Sequence, residues 1–157
     1  MGKRKTPYVK ELYESTGASN DTSANLYISM LTSAAWRALT AKQQVLYLCC
    51  KAQRYAEKRK PLDDDRNFTM NRSKWCHLYG LYNDGNHMAF YRDMEALIEK
   101  GFVVCVESGQ NTRTKSVYAY SSMWRHYGTS AFEVPLRDMT PSMRGRVRKL
   151  EKRDENR

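Results

Sequence analysis

The chain has 157 residues, of which 27 are Lys or Arg and 17 are Asp or Glu, so its formal net charge is +10. Its hydrophobic share of 41% is enough for a folded core, which argues against wholesale disorder. No apolar run approaches the roughly 18 residues of a membrane-spanning helix, and the basic start lacks the apolar stretch of a signal peptide. The excess of cations favours a polyanionic partner, first nucleic acid and then an anionic membrane surface.

The positive charge is concentrated at the two ends of the chain. Residues 1–10 and 137–157 together carry +8, whereas the 126 residues between them carry +2. We interpret this as a flexible basic and polar arm over residues 1–25, one domain over residues 26–136, and a basic tail over residues 137–157. The ends are either solvated tails or sources of additional phosphate contacts. The cations that would contact DNA from the ends are Lys3, Arg4, Lys5, Arg144, Arg146, Arg148 and Lys149.

The four cysteines are Cys49, Cys50, Cys76 and Cys105, and no two of them form a CxxC pair. Without a secretion signal, reduced thiols packed as small hydrophobic groups are the better interpretation. Cys76 and the neighbouring His77 raise the hypothesis of a zinc site with Cys105 as third ligand, but this spacing matches no metal framework. We therefore expect no metal site and no cofactor.

The first predicted elements are a β-prone run over residues 26–30, which suggests an edge strand, and a short helix over residues 33–39 that Thr32 can cap. A clear helix start follows, because Thr40 and Gln43 have the spacing of a capping box, in which each side chain satisfies the other's free backbone donor. The apolar spacing behind it predicts a buried face. That face consists of Val45, Leu48, Cys49, Ala52 and Ala56.

A short strand over residues 67–70 is predicted next, followed by a helix that Asn71 caps and that stops at Gly80. The residues of this helix expected to face inward are Trp75, Leu78 and Tyr79. Residues 83–85, Asn-Asp-Gly, favour a tight turn. The pattern therefore predicts a turn that leads directly into another helix.

That helix is predicted over residues 86–100, with an apolar stripe at helical spacing. The stripe consists of Phe90, Met94, Leu97 and Ile98. Gly101 suits the left-handed position that follows many helices. Two strands, over residues 102–106 and 115–120, enclose a polar turn, so the segment ends in a hairpin.

This order of elements is that of a helix-turn-helix followed by a two-stranded hairpin. At residues 90–103, which end in Leu-Ile-Glu-Lys-Gly-Phe-Val, the chain resembles the winged-helix DNA-binding superfamily, whose recognition helix commonly ends as Leu-x-x-x-Gly before two apolar residues. The resemblance spans about residues 40–120. It implies an α+β winged helix-turn-helix, a three-helix core with a two- to three-stranded antiparallel wing, here with terminal extensions. The pattern of aromatic residues in 27–40 and 120–128 also looks similar to that of winged-helix proteins of bacterial mobile elements. Those proteins resemble the DNA-binding domains of plasmid replication initiators.

In this superfamily the second helix of the pair enters the major groove of DNA, where base edges carry a distinct pattern of donors and acceptors. With the apolar stripe inward, the residues that would face the bases are Asn86, His87, Met88, Tyr91, Arg92 and Glu95. Arg92 suits guanine, Asn86 suits adenine and Met88 suits a thymine methyl group. The alternative for Arg92 is an ion pair with Asp93 or Glu95. The residues placed for contacts with the DNA backbone and for the wing are Asn71, Arg72, Lys74, Gln110, Asn111, Arg113 and Lys115.

The resemblance and the charge indicate a sequence-specific double-stranded DNA-binding protein, a transcriptional regulator of the bacterial cytoplasm associated with the nucleoid. The alternatives are a replication initiation or partition protein of a plasmid or mobile element, and a winged-helix adaptor that binds protein. We expect a homodimer on a repeated or palindromic site, with residues 26–39 and 120–136 as the candidate contacts.

Other classes of function are disfavoured. Catalysis needs convergent groups, whereas the three histidines lie in different predicted elements and no phosphate loop or nucleophile motif occurs. We therefore do not expect an enzyme. RNA and single-strand binding by stacking are disfavoured because most aromatic residues fall at core spacing. We expect no membrane partner.

Overall fold

The computed structural model describes residue 24 and residues 26–56, 67–110 and 114–155. It is an α+β arrangement in which helices surround a small antiparallel sheet. The α-helices are α1 (Ile28–Leu31), α2 (Ala34–Arg37), α3 (Ala41–Ala56), α4 (His87–Glu99) and α5 (Pro141–Asp154). The strands are β1 (Asn67–Thr69), β2 (Val103–Glu107) and β3 (Val117–Tyr120). A π-helical segment, Ser73–Leu78, precedes α4, and 3-10 turns occupy Met123–His126 and Leu136–Asp138.

The predicted edge strand over residues 26–30 is wrong, because its backbone closes into the short helix α1. The predicted cap of the next helix is also displaced by one residue. The Thr32 hydroxyl donates back to the carbonyl of Ile28 at 3.0 Å, so it ends α1. Ser33 begins α2 instead, since its Oγ accepts the backbone N–H of Trp36 at 3.1 Å.

The predicted capping box at the start of α3 is confirmed. The backbone N–H of Thr40 donates to Oε1 of Gln43 at 3.0 Å, and the backbone N–H of Gln43 donates to Oγ1 of Thr40 at 3.3 Å. Two free backbone donors at the helix start are thereby satisfied by two neighbouring side chains. The Thr-x-x-Gln pattern thus located the beginning of α3 to the residue.

The predicted buried face of α3 is wrong, because the residues that are buried are displaced by about one position along the helix from those predicted. Leu46 and Cys50 are fully buried, whereas Val45 and Leu48 are 44% and 36% exposed. The cause is Tyr47, whose ring packs inside against the rings of Trp36 and Phe102. Turning this large aromatic ring inward rotates the neighbouring aliphatic side chains toward solvent.

The sheet has the order β1-β3-β2, with both pairs antiparallel, so β3 is the central strand. Tyr118 in β3 is opposite Phe68 on one side and Cys105 on the other. The register shifts between Cys105 and Glu107, which marks an irregularity in β2 close to the loop. The predicted hairpin of β2 and β3 is confirmed, and the strand predicted at residues 67–70 is β1, the third strand of the sheet.

The predicted cap by Asn71 is present, because its Oδ1 accepts the backbone N–H of Lys74 at 3.1 Å. The segment behind it is wound as a π-helix, however, as the backbone hydrogen bond from Tyr79 to Lys74 shows. This wider winding keeps Trp75 buried but leaves Leu78 68% exposed, so the inward position predicted for Leu78 is wrong. Gly80 ends the segment at a φ of +59°.

The predicted helix over residues 86–100 is confirmed as α4, and the predicted apolar stripe is its buried face. Gly101 follows it with a φ of +77°. A Cβ at this position would lie 2.7 Å from the backbone nitrogen of Trp124, so a side chain has no room. Gly101 therefore combines the left-handed helix end with a close approach to the 3-10 turn.

A buried carboxylate joins α4 to the elements before it. Asp93 is 6% exposed, and it accepts hydrogen bonds from Nε2 of Gln43 at 3.0 Å and from the hydroxyl of Tyr82 at 2.7 Å. Burial and the hydrogen bond to Asp93 raise the pKa of Tyr82, so its phenol remains a donor. Beside this network the Trp75 ring stacks on Phe90 at 4.9 Å. Contacts from α3, from the turn and from the π-helical segment thus fix α4.

The tail predicted over residues 137–157 is largely helical, so its description as a tail is wrong. Thr140 caps α5 by accepting the backbone N–H of Met143 at 3.2 Å, and Pro141 occupies the first turn. Met143 is 4% exposed and anchors the helix to the core. Across the described ranges, no helix has the length and apolar character needed to cross a membrane.

Replacing Asp93 with Ala leaves the amide of Gln43 and the hydroxyl of Tyr82 without their acceptor. We expect the free energy of unfolding to fall by about 1–3 kcal/mol, the usual cost of unsatisfied buried polar groups. Urea unfolding measures it. The exposed Asp154→Ala variant in the last turn of α5 is the control and should match the wild type. Equal stability of the Asp93 and Asp154 variants would contradict the structural role of this carboxylate.

Candidate nucleic-acid interface

Five of the six residues predicted to face bases are exposed, at the N-cap and on the outer face of α4. Met88 is 68% exposed and Tyr91 is 47% exposed. The ring of His87 meets the ring of Tyr91 edge-on, with 6.5 Å between centroids. Asn86 lies at the N-cap of α4, and its side chain makes no capping hydrogen bond. Arg92 is also exposed, so this face presents donors, acceptors and an apolar group together.

This face forms the floor of a groove of about 740 Å³. One wall is the base of the β2–β3 hairpin and the other is the start of α5. The hairpin residues in the wall are Ser108, Gly109, Gln110 and Ser116, and the α5 side contributes Thr140, Ser142 and Arg146. All six residues predicted to face bases line this groove.

A smaller cavity of about 290 Å³ adjoins the groove and shares His87 and Tyr91 with it. It lies between the π-helical segment, the start of α4 and the hairpin. Residues predicted for contacts with the DNA backbone line it: Asn71, Arg72 and Lys115. The fold therefore brings the two predicted sets of residues to adjoining concave surfaces.

Glu95 lies on the outer face of α4 as predicted, but its carboxylate is paired and does not project freely. Its Oε1 accepts the Thr140 hydroxyl at 2.8 Å, and its Oε2 accepts Nη2 of Arg146 at 2.6 Å. The Glu95 side chain is only 13% exposed. The Arg146 guanidinium also lies 4.0 Å from Oε1 of Glu99. Glu95 thus fastens α5 to the outer side of α4.

The electrostatics of α4 depend on these contacts. The helix contains one cation, Arg92, and three carboxylates, those of Asp93, Glu95 and Glu99. Asp93 is buried, and the other two carboxylates lie against Arg146. Within the part of the chain that the structure describes, the Arg92 side chain makes no hydrogen bond and no ion pair. The alternative interpretation of Arg92, as an ion-pair partner of Asp93 or Glu95, is therefore not supported. Arg92 lines the groove.

Two of the residues predicted to contact the DNA backbone, Arg72 and Lys74, are held by hydrogen bonds within the protein. Arg72 holds Asp84 through two hydrogen-bonded pairs, Nε to Oδ1 at 2.7 Å and Nη2 to Oδ2 at 2.6 Å. These bonds lower the pKa of Asp84 to about 2. Lys74 is turned toward β1, where its Nζ donates to the carbonyl and hydroxyl oxygens of Thr69 at 3.0 and 3.2 Å. The predicted phosphate contact of Lys74 is therefore not supported by its position.

Several predicted contacts lie outside the described residues. They are Lys3, Arg4, Lys5, Asn111 and Arg113, and the same holds for all of the arm predicted over residues 1–25 except residue 24. Of the predicted C-terminal cations, Arg146, Arg148 and Lys149 are exposed on α5 and Arg144 is half-buried. Thr140-Pro141, a capping residue followed by proline, was the sequence signal for this helix.

No protein-family model, curated protein or solved structure matches the chain. The arrangement of its own residues therefore carries the functional argument.

Proposed function

We propose that this is a winged-helix protein that binds double-stranded DNA sequence-specifically, with α4 as the recognition helix and the β2–β3 hairpin as the wing. One observation carries the proposal. Asn86 at the N-cap of α4 and Met88 and Arg92 on its exposed face differ in chemical character and line one groove, between a polar hairpin and a cationic helix. A helix of this kind fits the major groove of B-DNA, and the flanking elements would contact the backbone on either side.

The chemistry of the exposed face suits base recognition. Arg92 can donate two hydrogen bonds to guanine, Asn86 can pair with adenine, and Met88 can pack on a thymine methyl group. Each good pair of hydrogen bonds contributes about 1–3 kcal/mol of discrimination against the wrong base. A surface that carried only lysines would supply affinity without such discrimination. The different chemical types of side chain on this face therefore favour sequence-specific binding.

The helix α5 would supply general affinity. It contains six basic and two acidic residues, and Arg148, Lys149 and Arg153 are exposed on it. The contact between Glu95 and Arg146 holds these cations beside α4. Neutralising phosphates releases counterions, which favours binding to any DNA sequence.

Four large aromatic rings of the core are unavailable for single-strand binding. Stacking on unpaired bases requires exposed rings. The rings of Trp75 and Phe90 stack on each other, and those of Phe102 and Trp124 are stacked as well. These rings are buried in the core, so they cannot serve as a platform for bases.

The proposed biological role is transcriptional control, and the alternative is replication initiation or partition of a plasmid or mobile element. A regulator would bind its own promoter, whereas an initiator would bind repeated sites at an origin. We propose a homodimer as the binding form. Tyr27 and Ile28 are 57% and 79% exposed in the segment predicted for the dimer contact, which supports that choice. An adaptor role predicts instead that α4 binds protein and that its substitutions leave DNA affinity unchanged.

Arg92→Ala should weaken binding to a selected duplex site by about fivefold to 150-fold, the equivalent of 1–3 kcal/mol. Its effect on a random duplex should be much smaller. Fluorescence anisotropy with both duplexes at one salt concentration measures the two affinities. Arg137→Ala is the matched control, since the Arg137 side chain is 85% exposed, lines neither cavity and lies outside the segments predicted for the dimer contact. Equal losses on both duplexes would show that Arg92 contacts phosphate alone.

Replacing Arg148, Lys149 and Arg153 together with Gln should weaken binding to selected and random duplexes alike. The slope of log affinity against log salt should flatten by about 0.9 for each phosphate that α5 no longer neutralises. Titrations at several salt concentrations measure this slope, and circular dichroism checks that α5 stays helical. An unchanged slope would mean that α5 takes no part in DNA binding.

A further inference from the structure

Three potential metal ligands of different types meet outside the α4 groove. Cys76 and His77 lie in the π-helical segment, and Asp84 lies in the turn before α4. Their ligand atoms all lie within 4.8 Å of one another. The Asp84 Oδ1 is 3.2 Å from the Cys76 Sγ and 3.9 Å from the His77 Nε2. These separations are close to the edges of a tetrahedron around a small ion with ligand bonds of roughly 2.0–2.3 Å.

We propose that Cys76, His77 and Asp84 form a binding site for Zn²⁺, with solvent in the fourth position. A thiolate, an imidazole and a carboxylate are all zinc ligands, and zinc favours four-coordinate tetrahedral sites. Magnesium and calcium prefer oxygen ligands throughout, so the sulfur and nitrogen donors select against them.

The fold changes the ligand set that the sequence suggested. Cys105, the third ligand of the zinc hypothesis, is 5% exposed inside β2 and is not in the cluster. The chain reverses after Gly80 and returns Asp84 to the side of the π-helical segment instead. His77 and Asp84 have side chains 66% and 52% exposed, so an ion can enter directly from solvent.

Arg72 competes with the ion for Asp84. Its guanidinium now occupies both carboxylate oxygens, and the Cys76 thiol donates to the same carboxylate. Metal binding would release the thiol proton to solvent, form the sulfur–metal bond and displace Arg72 from Asp84. The ion would then join the π-helical segment to the turn that leads into α4. Release of Arg72 would affect DNA binding only if the proposed function holds. The metal site is therefore tested in the absence of DNA.

The test is a titration of the full-length, reduced protein with Co²⁺, which reports zinc-type sites by its spectrum. We expect one ion per chain, a near-ultraviolet thiolate-to-cobalt charge-transfer band and visible bands of tetrahedral intensity, all abolished by added Zn²⁺. Cys76→Ser should remove the charge-transfer band. His77→Gln and Asp84→Asn should weaken cobalt binding by more than about tenfold, an effect that even the partners of metal ligands reach.

The matched controls are Cys49→Ser and Asp154→Asn, whose side chains lie outside the cluster; both should retain the wild-type spectrum. Thermal unfolding without metal checks that each variant is folded. If Cys76→Ser is unstable, His77→Gln still tests the site, because it alters only an exposed side chain. Arg72→Ala should tighten cobalt binding, because it removes the competitor for Asp84. A charge-transfer band that persists in Cys76→Ser, no band in the wild type, or weaker binding in Arg72→Ala would overturn the proposal.

Discussion

The buried carboxylate of Asp93 is the contact on which the position of α4 depends. A charged group inside a protein must be matched by hydrogen-bond donors, or its burial costs several kcal/mol. Both donors, Gln43 and Tyr82, have other tasks. Gln43 closes the capping box of α3, and Tyr82 lies in the turn that leads to α4. One carboxylate therefore links the start of α3, the turn and α4.

Fixing α4 from the inside also determines what its outer face can do. Asp93 is buried, and the Glu95 carboxylate at the groove floor is paired with Thr140 and Arg146. Arg92 then dominates the charge of that floor. The sequence alone gives α4 more acidic than basic residues, so the proposed binding of DNA by this helix depends on these contacts and not on composition.

The predictions that held depend on short-range patterns. The Thr40–Gln43 box, the stripe that begins at Phe90 and the Gly101 stop each involve residues a few positions apart, whose geometry is dictated by the helix itself. The face of α3 failed because Tyr47 has to meet Trp36 and Phe102, a tertiary requirement that periodicity does not contain.

The site was predictable only in part for the same reason. The exposure of His87, Met88 and Arg92 follows from the helical period once the buried stripe is known. The Glu95 carboxylate pairs with Arg146, which is 51 residues away on a helix that the charge pattern predicts to be a tail. The meeting of Asp84 with Cys76 depends on how the chain reverses after Gly80 and on the π-helical winding before it. No local pattern encodes those contacts.

Selection of bound fragments from a pool of random duplexes tests the central claim, that the outer face of α4 reads base sequence. Wild-type protein should enrich a short common motif within a few rounds, with any repeats spaced by whole helical turns if the dimer is the binding form. Recovered fragments with no more sequence in common than the starting pool would contradict the account, even if the protein binds DNA tightly.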